Sequence, residues 1–210
     1  LRVNAETLVN GQRELQIALL EDLARTLDTE LRDAELGLDT SARVLSDATL
    51  GGDARIALAE ADVEARTSLD HVAVYDREGG LIDVIREQGV DTSTLPEQLD
   101  ADLRDAAARV RVATGPATHE PAAARVLLVV AIRPEGPQGP ITGYVASRVS
   151  LLGVQDRLAQ LASHLGPGRD TLFVVDRELA MLVHGDPARL LDSAADQGAL
   201  AGVDPSTLDP

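Results

Sequence analysis

The chain has 210 residues, 44% hydrophobic but only 1% aromatic, so any core has to be built from Leu, Val, Ile and Ala. Its formal charge is −16 and all 19 of its basic residues are arginines, which leaves no basic footprint for nucleic acid or for an acidic lipid surface. With no cysteine there is neither a disulfide framework nor a thiolate metal site.

In chain order, the first element is a helix. Leu15, Leu19, Leu23, Leu27, Leu31, Ala34, Leu38, Ala42 and Leu45 recur in steps of four and three, which is one face of an α-helix. The pattern predicts a helix from about Glu6 to Asp47, roughly 60 Å long at about 1.5 Å per residue. Gly37 weakens its middle by about 1 kcal/mol relative to Ala. A helix this long outruns one small domain, so its overhang is expected to meet a second copy or to run toward a membrane. Gly51-Gly52 ends the pattern, and Asp53 is read as the cap of a second helix reaching about Arg66.

A hairpin follows, His71–Tyr75 and Leu81–Arg86, with Asp76-Arg-Glu-Gly-Gly80 as its turn. Leu95, Leu99, Leu103, Ala106 and Val110 then mark a helix with Pro96 in its first turn. Thr114–Pro121 reads as a loop or short strand. Arg125–Arg133 and Ile141–Val149 read as two longer strands joined by the turn-rich Pro134–Pro140. Leu151, Val154, Leu158, Leu161 and Leu165 form a connecting helix that stops at Gly166-Pro167-Gly168. Two short strands, Thr171–Val175 and Met181–His184, and a helical pattern over Leu190–Leu200 complete the chain.

One phrase occurs twice: HVAVYDREGGLIDVI from His71 and TLFVVDRELAMLV from Thr171. Two copies of one small α+β module are therefore expected, the second incomplete, because two strands alone make a marginal sheet. No apolar run is long enough to span a bilayer, and no signal peptide is present. The chain opens inside one helical pattern and stops inside another. It reads as a piece of a larger protein, with any membrane segments outside it.

The order of these elements resembles the double Cache family, PAS-like extracytoplasmic sensor domains of bacterial signalling receptors. Three stretches carry the resemblance: VAVYDREGGLIDV from Val72, GYVASRVSLLGVQDRL from Gly143, and LFVVDRELAMLVHGDP from Leu172. In the last, Leu179-Ala180 replaces the usual turn glycine. The resemblance implies an α+β fold with a long N-terminal helix packed on a PAS-like antiparallel sheet, followed by an incomplete second module. It divides the chain into a stalk or dimerisation helix (1–50), a membrane-distal module (51–165) and the start of a membrane-proximal one (166–210). It further implies the periplasmic or extracellular part of an inner-membrane receptor, most often a sensor histidine kinase of a two-component system, also a chemoreceptor or a cyclic-dinucleotide enzyme. Such a domain senses a small molecule, forms a homodimer through its first helix, and meets the membrane only through flanking segments. The amino-acid-binding members use an aromatic-rich motif and an acidic residue on the last strand. This chain has no Trp, and Arg148 stands near the position of that acid, which argues against a free amino acid.

Alternate residues of a strand share a face. With the valine faces turned to the long helix, His71, Tyr75, Tyr144 and Arg148 look the other way, with small alanines between them. These four, with Arg125 beside them, are the candidate ligand-binding residues. Arginine there favours a small anion through bidentate hydrogen bonds. Arg109, Arg111 and Arg125 form a second basic cluster, expected to serve in surface ion pairs. Catalysis is not expected: there is no G-x-S-x-G elbow, no P-loop and no H-E-x-x-H, and the four histidines form no constellation. No cofactor and no metal are expected. A competing reading is a ligand-free scaffold or spacer module that mediates dimerisation or partner-protein binding, since pockets are usually lined by aromatics and this chain has almost none.

Overall fold

The computed structural model describes residues 2–66, 68–86, 89–90, 92–119, 123–165, 173–175, 180–184 and 187–192. The leucine-rich periodicity forms helix α1 (Arg2–Ser46), with side chains described from Glu21 onward and at Ala18. Helix α2 spans Gly52–Glu64. Gly51, not Asp53, is its N-cap; Asp53 sits in the first turn, where its charge suits the helix dipole.

The described residues form two compact units. One covers the described residues of 31–120 and 124–150; the other holds α1 up to Glu30, Ala123 and the described residues from Leu151 onward. The first unit is built on a five-stranded antiparallel sheet of order β2-β1-β5-β4-β3. Its strands are β1 (His71–Tyr75), β2 (Leu81–Arg86), β3 (Ala113–His119), β4 (Ala124–Ile132) and β5 (Gly143–Ser150), with helix α3 (Ala101–Arg109) between β2 and β3. The two hairpin readings of the sequence are both present, and Thr114–His119 is strand, with a register shift between Thr114 and Ala117.

The first hairpin turn follows from its residues. Gly79 takes φ +91°, a conformation side chains disfavour. Asp76 closes the turn twice, its backbone N–H donating to Gly80 O at 2.8 Å and its Oδ1 accepting from Gly80 N–H at 2.7 Å.

The sheet is buried on both faces. Ala73, Tyr75, Leu127, Val129, Tyr144 and Ala146 pack with Leu95, Leu99, Leu103 and Ala107 in one core under α3. The alternate residues Val72, Leu128, Val130, Val145 and Val149 are buried as well. The stretch of α1 in this unit buries Ala34, Leu38, Ser41 and Ala42, an i, i+4, i+7, i+8 stripe. At Gly37 on the same stretch, an added Cβ would run into Leu69 Cδ1 and stand 2.8 Å from Arg66 Cδ. The glycine that looked like a weak point thus lets the helix backbone approach the segment entering β1.

One expected helix is shorter than its pattern. Leu95 and Leu99 are buried with helical spacing, yet helix α3 begins only at Ala101. Residues 92–99 instead run across the sheet's α3 face. Pro96 disfavours helical backbone at Leu95, whose N–H instead closes a turn by donating to Thr92 O at 3.1 Å. The segment borrows the hairpin as a strand partner: Leu81 N–H donates to Glu97 O at 3.0 Å and Leu99 N–H to Gly79 O at 2.9 Å.

In the second unit, helix α4 (Leu152–Leu165) buries Val154, Gln155 and Leu158. Strands β6 (Phe173–Val175) and β7 (Met181–His184) pair antiparallel. The Gln155 amide accepts from His184 N–H at 3.1 Å and donates to His184 O, standing in for a neighbouring strand at the end of β7. A short 3-10 turn, Pro187–Arg189, follows. The strand residues read at Thr171 and Leu172, and the helical pattern beyond Asp192, lie outside the described residues. No described helix is long and apolar enough to cross a membrane.

Candidate functional site

The sheet topology brings the five candidate residues together, because β5 lies between β1 and β4. Ala73 pairs with Ala146 and Tyr75 with Tyr144. His71, Tyr75, Tyr144 and Arg148 are all buried, and Arg148 is only 5% exposed. They line no open strand face: Tyr75 and Tyr144 pack with Leu95, Leu99 and Leu103 of the loop and α3, and Arg148 bonds to the same loop.

Arg148 reaches from the central strand to two separate segments. Its Nε donates to Thr94 O at 2.8 Å, and Nη1 donates to Pro116 O at 3.1 Å. Tyr75 holds the same loop two residues further on, donating its hydroxyl to Pro96 O at 3.0 Å. A guanidinium fork and a phenol therefore tie residues 94–96 onto the sheet. Burial pushes the Tyr75 phenol up to about 12, an effect that the Arg148 charge moderates.

Arg125 and His71 form a second arrangement beside the first. The Arg148 backbone N–H donates to His71 Nε2 at 3.1 Å. That bond leaves Nδ1 to carry the proton, and Nδ1 faces Asp70 Oδ1. Arg125 Nη1 donates to Asp70 Oδ2 at 2.9 Å and to Arg148 O at 3.3 Å. Burial raises the Asp70 carboxyl, but the hydrogen bonds and charge of His71 and Arg125 outweigh it and hold the group below the ordinary carboxylate range. Asp70 was not singled out from sequence, although it directly precedes His71. Its role depends on Arg125, which is distant in sequence.

The second basic cluster divides. Arg125 goes to Asp70, whereas Arg111 pairs with Asp39 of α1 at 2.9 Å and Arg109 lies near Asp105 at 3.8 Å. No group of three or more His, Asp or Glu among the described residues is placed to hold a metal ion.

The Tyr75 geometry makes a pH prediction. In a Tyr144→Phe chain Tyr75 is the one tyrosine, and its phenolate absorbance is expected to appear near pH 12. The folded state keeps this proton where the unfolded chain, with a pKa of about 10, releases it. The contribution to stability is therefore complete below pH about 10 and declines as pH rises toward 12. A midpoint near 10 in the folded protein would show the phenol to be solvated.

No family model and no curated protein sequence matches the chain. Solved structures do. The ligand-binding domain of the Pseudomonas aeruginosa PAO1 amino acid chemoreceptor PctC, in complex with GABA, superposes with a TM-score of 0.60 at 15% identity, over 83% of this chain and 75% of that one. The periplasmic sensory domain of the Campylobacter jejuni chemoreceptor Tlp1 gives 0.61 at 10% identity, over 87% and 75%. An extracellular ligand binding receptor from Desulfohalobium retbaense gives 0.62 at 18% identity, over 88% of this chain and 34% of that one. At these identities the likeness is one of architecture: with its long first helix and five-stranded antiparallel sheet, the chain has the fold of the Cache, PAS-like sensor domains.

Proposed function

We propose that the chain is the extracytoplasmic sensor domain of a transmembrane signalling receptor and takes up a small carboxylate on the α3 face of its sheet. The observation that carries this reading is the Arg148 guanidinium, nearly buried on the central strand and bonded to the carbonyls of Thr94 and Pro116. A carboxylate forms stronger, bidentate bonds with arginine than neutral carbonyls do, so it would compete for this fork and free the loop 92–99. Ligands named for the neighbouring structures, GABA, L-isoleucine and L-serine, all carry a carboxylate, which supports the same chemistry. Tyr75 and Tyr144 would flank the ligand, while His71 and Arg125 fix the end of β5. The domain then has two states, loop tied and loop released, and the ligand biases one of them.

In this reading α1 forms the homodimer and passes on the change, residues 166–210 open a membrane-proximal module, and flanking segments cross the inner membrane. The output is a histidine kinase. The experiment is a thermal-shift screen of mono- and dicarboxylates, amino acids included, against the wild-type chain and Arg148→Lys, a change that keeps the charge and loses the fork. A stabiliser of the wild type that fails on the folded variant supports sensing.

The scaffold reading has one observation in its favour: Leu95, Leu99, Leu103, Leu127 and Val129 fill the space beneath the loop. Silence across the whole library would favour it.

A further inference from the structure

We infer a second, separate binding site for a small multivalent anion, such as a polycarboxylate or a phosphate, in an arginine-lined cavity at one end of the sheet. The cavity has a volume of about 510 Å³ and lies between the last turns of α1, the end of α3 and the β4–β5 turn. Ligand sites commonly span about 300–1,000 Å³. Four arginines line it: Arg43 from α1, Arg109 and Arg111 at and beyond the end of α3, and Arg133 at the end of β4. They are scattered over some ninety positions of the sequence, and only the fold assembles them.

The charge balance decides the ligand class. Asp39 is the one acidic residue in the lining and Asp105 stands 3.8 Å from Arg109, so four guanidinium groups less two carboxylates leave a net charge of two. Helices α1 and α3 end here, at Ser46 and Arg109, and each C-terminus adds about half a negative charge. The site remains positive by about one charge, in a chain of net charge −16.

The geometry is convergent. Arg43 Nη2 at 2.6 Å and Arg111 Nη2 at 2.9 Å both donate to the same oxygen, Asp39 Oδ2. Two guanidinium groups from different elements thus aim at one point, and their side chains are 76% and 60% exposed, so further donors stay open to solvent. Arg133 is fixed from behind, donating to Gly139 O and Ala108 O at 2.7 Å each. It supplies charge without being free to swing. A single carboxylate does not neutralise this group. A ligand with two or more anionic oxygens would extend what Asp39 begins, using the planar forks that arginine offers to carboxylate and phosphate. Ala42, Ala107, Val130 and Pro137 leave room for a small carbon body.

Isothermal titration with citrate and with inorganic phosphate, at constant ionic strength, tests this. At least one should bind the wild-type chain. The Arg43→Ala/Arg111→Ala pair alters exposed side chains and should still fold, while weakening binding about tenfold or more, since each lost bond is charge-assisted. Asp39→Asn, which releases both guanidinium groups, should tighten it. A control pair, Arg25→Ala/Arg157→Ala, removes the same charge elsewhere and should leave affinity nearly unchanged. Absence of binding to both the wild type and Asp39→Asn would overturn the site, as would equal losses in the two double variants. Binding abolished by Arg148→Lys but kept by Arg43→Ala/Arg111→Ala would place the anion on the sheet face, overturning this site and supporting the reading above.

Discussion

Arg148→Ala is expected to cost about 2–4 kcal/mol in denaturant unfolding, the sum of two hydrogen bonds to a charged donor at about 1.5–3 kcal/mol each, less what is recovered by no longer holding a cation in a nearly buried site. The bonds at stake run to Thr94 O and Pro116 O, so the loss falls on two segments at once. Residues 92–99 should become sensitive to proteases at concentrations that leave the wild type intact, because the loop then loses its bond from the central strand at Thr94 and keeps those to Tyr75 and the hairpin. The backbone N–H of Arg148 keeps its bond to His71, so β5 itself should stay in register. An Arg148→Ala chain with wild-type stability and an uncut loop would mean that the guanidinium does not hold the loop, and the proposed competition with a ligand would lose its basis.

Gly37→Ala is expected to act in opposite directions in two settings. In an isolated peptide covering α1 it should raise helicity, since Ala gains about 1 kcal/mol over Gly in a helix interior. In the whole chain it should lower stability by about 1–3 kcal/mol, the usual cost of overpacking. The added methyl would meet Leu69, which is fully buried and has nowhere to swing, and the stem of Arg66, which is held by Asp62 at 3.2 Å and Asp33 at 3.4 Å. Circular dichroism of the peptide and urea unfolding of the chain measure both signs. A stabilised chain would show that α1 does not approach the segment before β1 this closely.

The elements themselves were legible wherever a strong local pattern set them. The leucine period drew α1, and the β-branched runs with Asp76 and Gly79-Gly80 drew the first hairpin with its strand limits. The Pro134–Pro140 stretch drew the turn between β4 and β5. Even the grouping of His71, Tyr75, Tyr144 and Arg148 followed from strand alternation, because the pairing of β1 with β5 puts like positions opposite each other.

Features that depend on partners distant in sequence were not legible. The spacing of Leu95 and Leu99 fits a helix as well as it fits a loop that drops two leucines into a core, and only the hairpin edge decides between them. Gly37 reads as a helix weakness until Leu69 lies across it. Arg109 and Arg111 look like partners of Arg125, but the fold gives Arg125 to Asp70 and brings Arg43 and Arg133 to the other two. Gln155 carries no signal at all: a lone glutamine in a helix gives no hint that its amide completes a strand.

The central claim is that a small ligand acts by releasing residues 92–99 from Arg148. Amide hydrogen exchange, with and without a stabilising carboxylate, reads this directly. The amides of Leu81 and Leu99, which bond to Glu97 O and Gly79 O, and of Leu95, which bonds to Thr92 O, report on the loop. Their exchange should change on binding, while the Val129–Ala146 ladder at the sheet's centre stays protected. Ligand binding that leaves all three amides untouched would contradict the account.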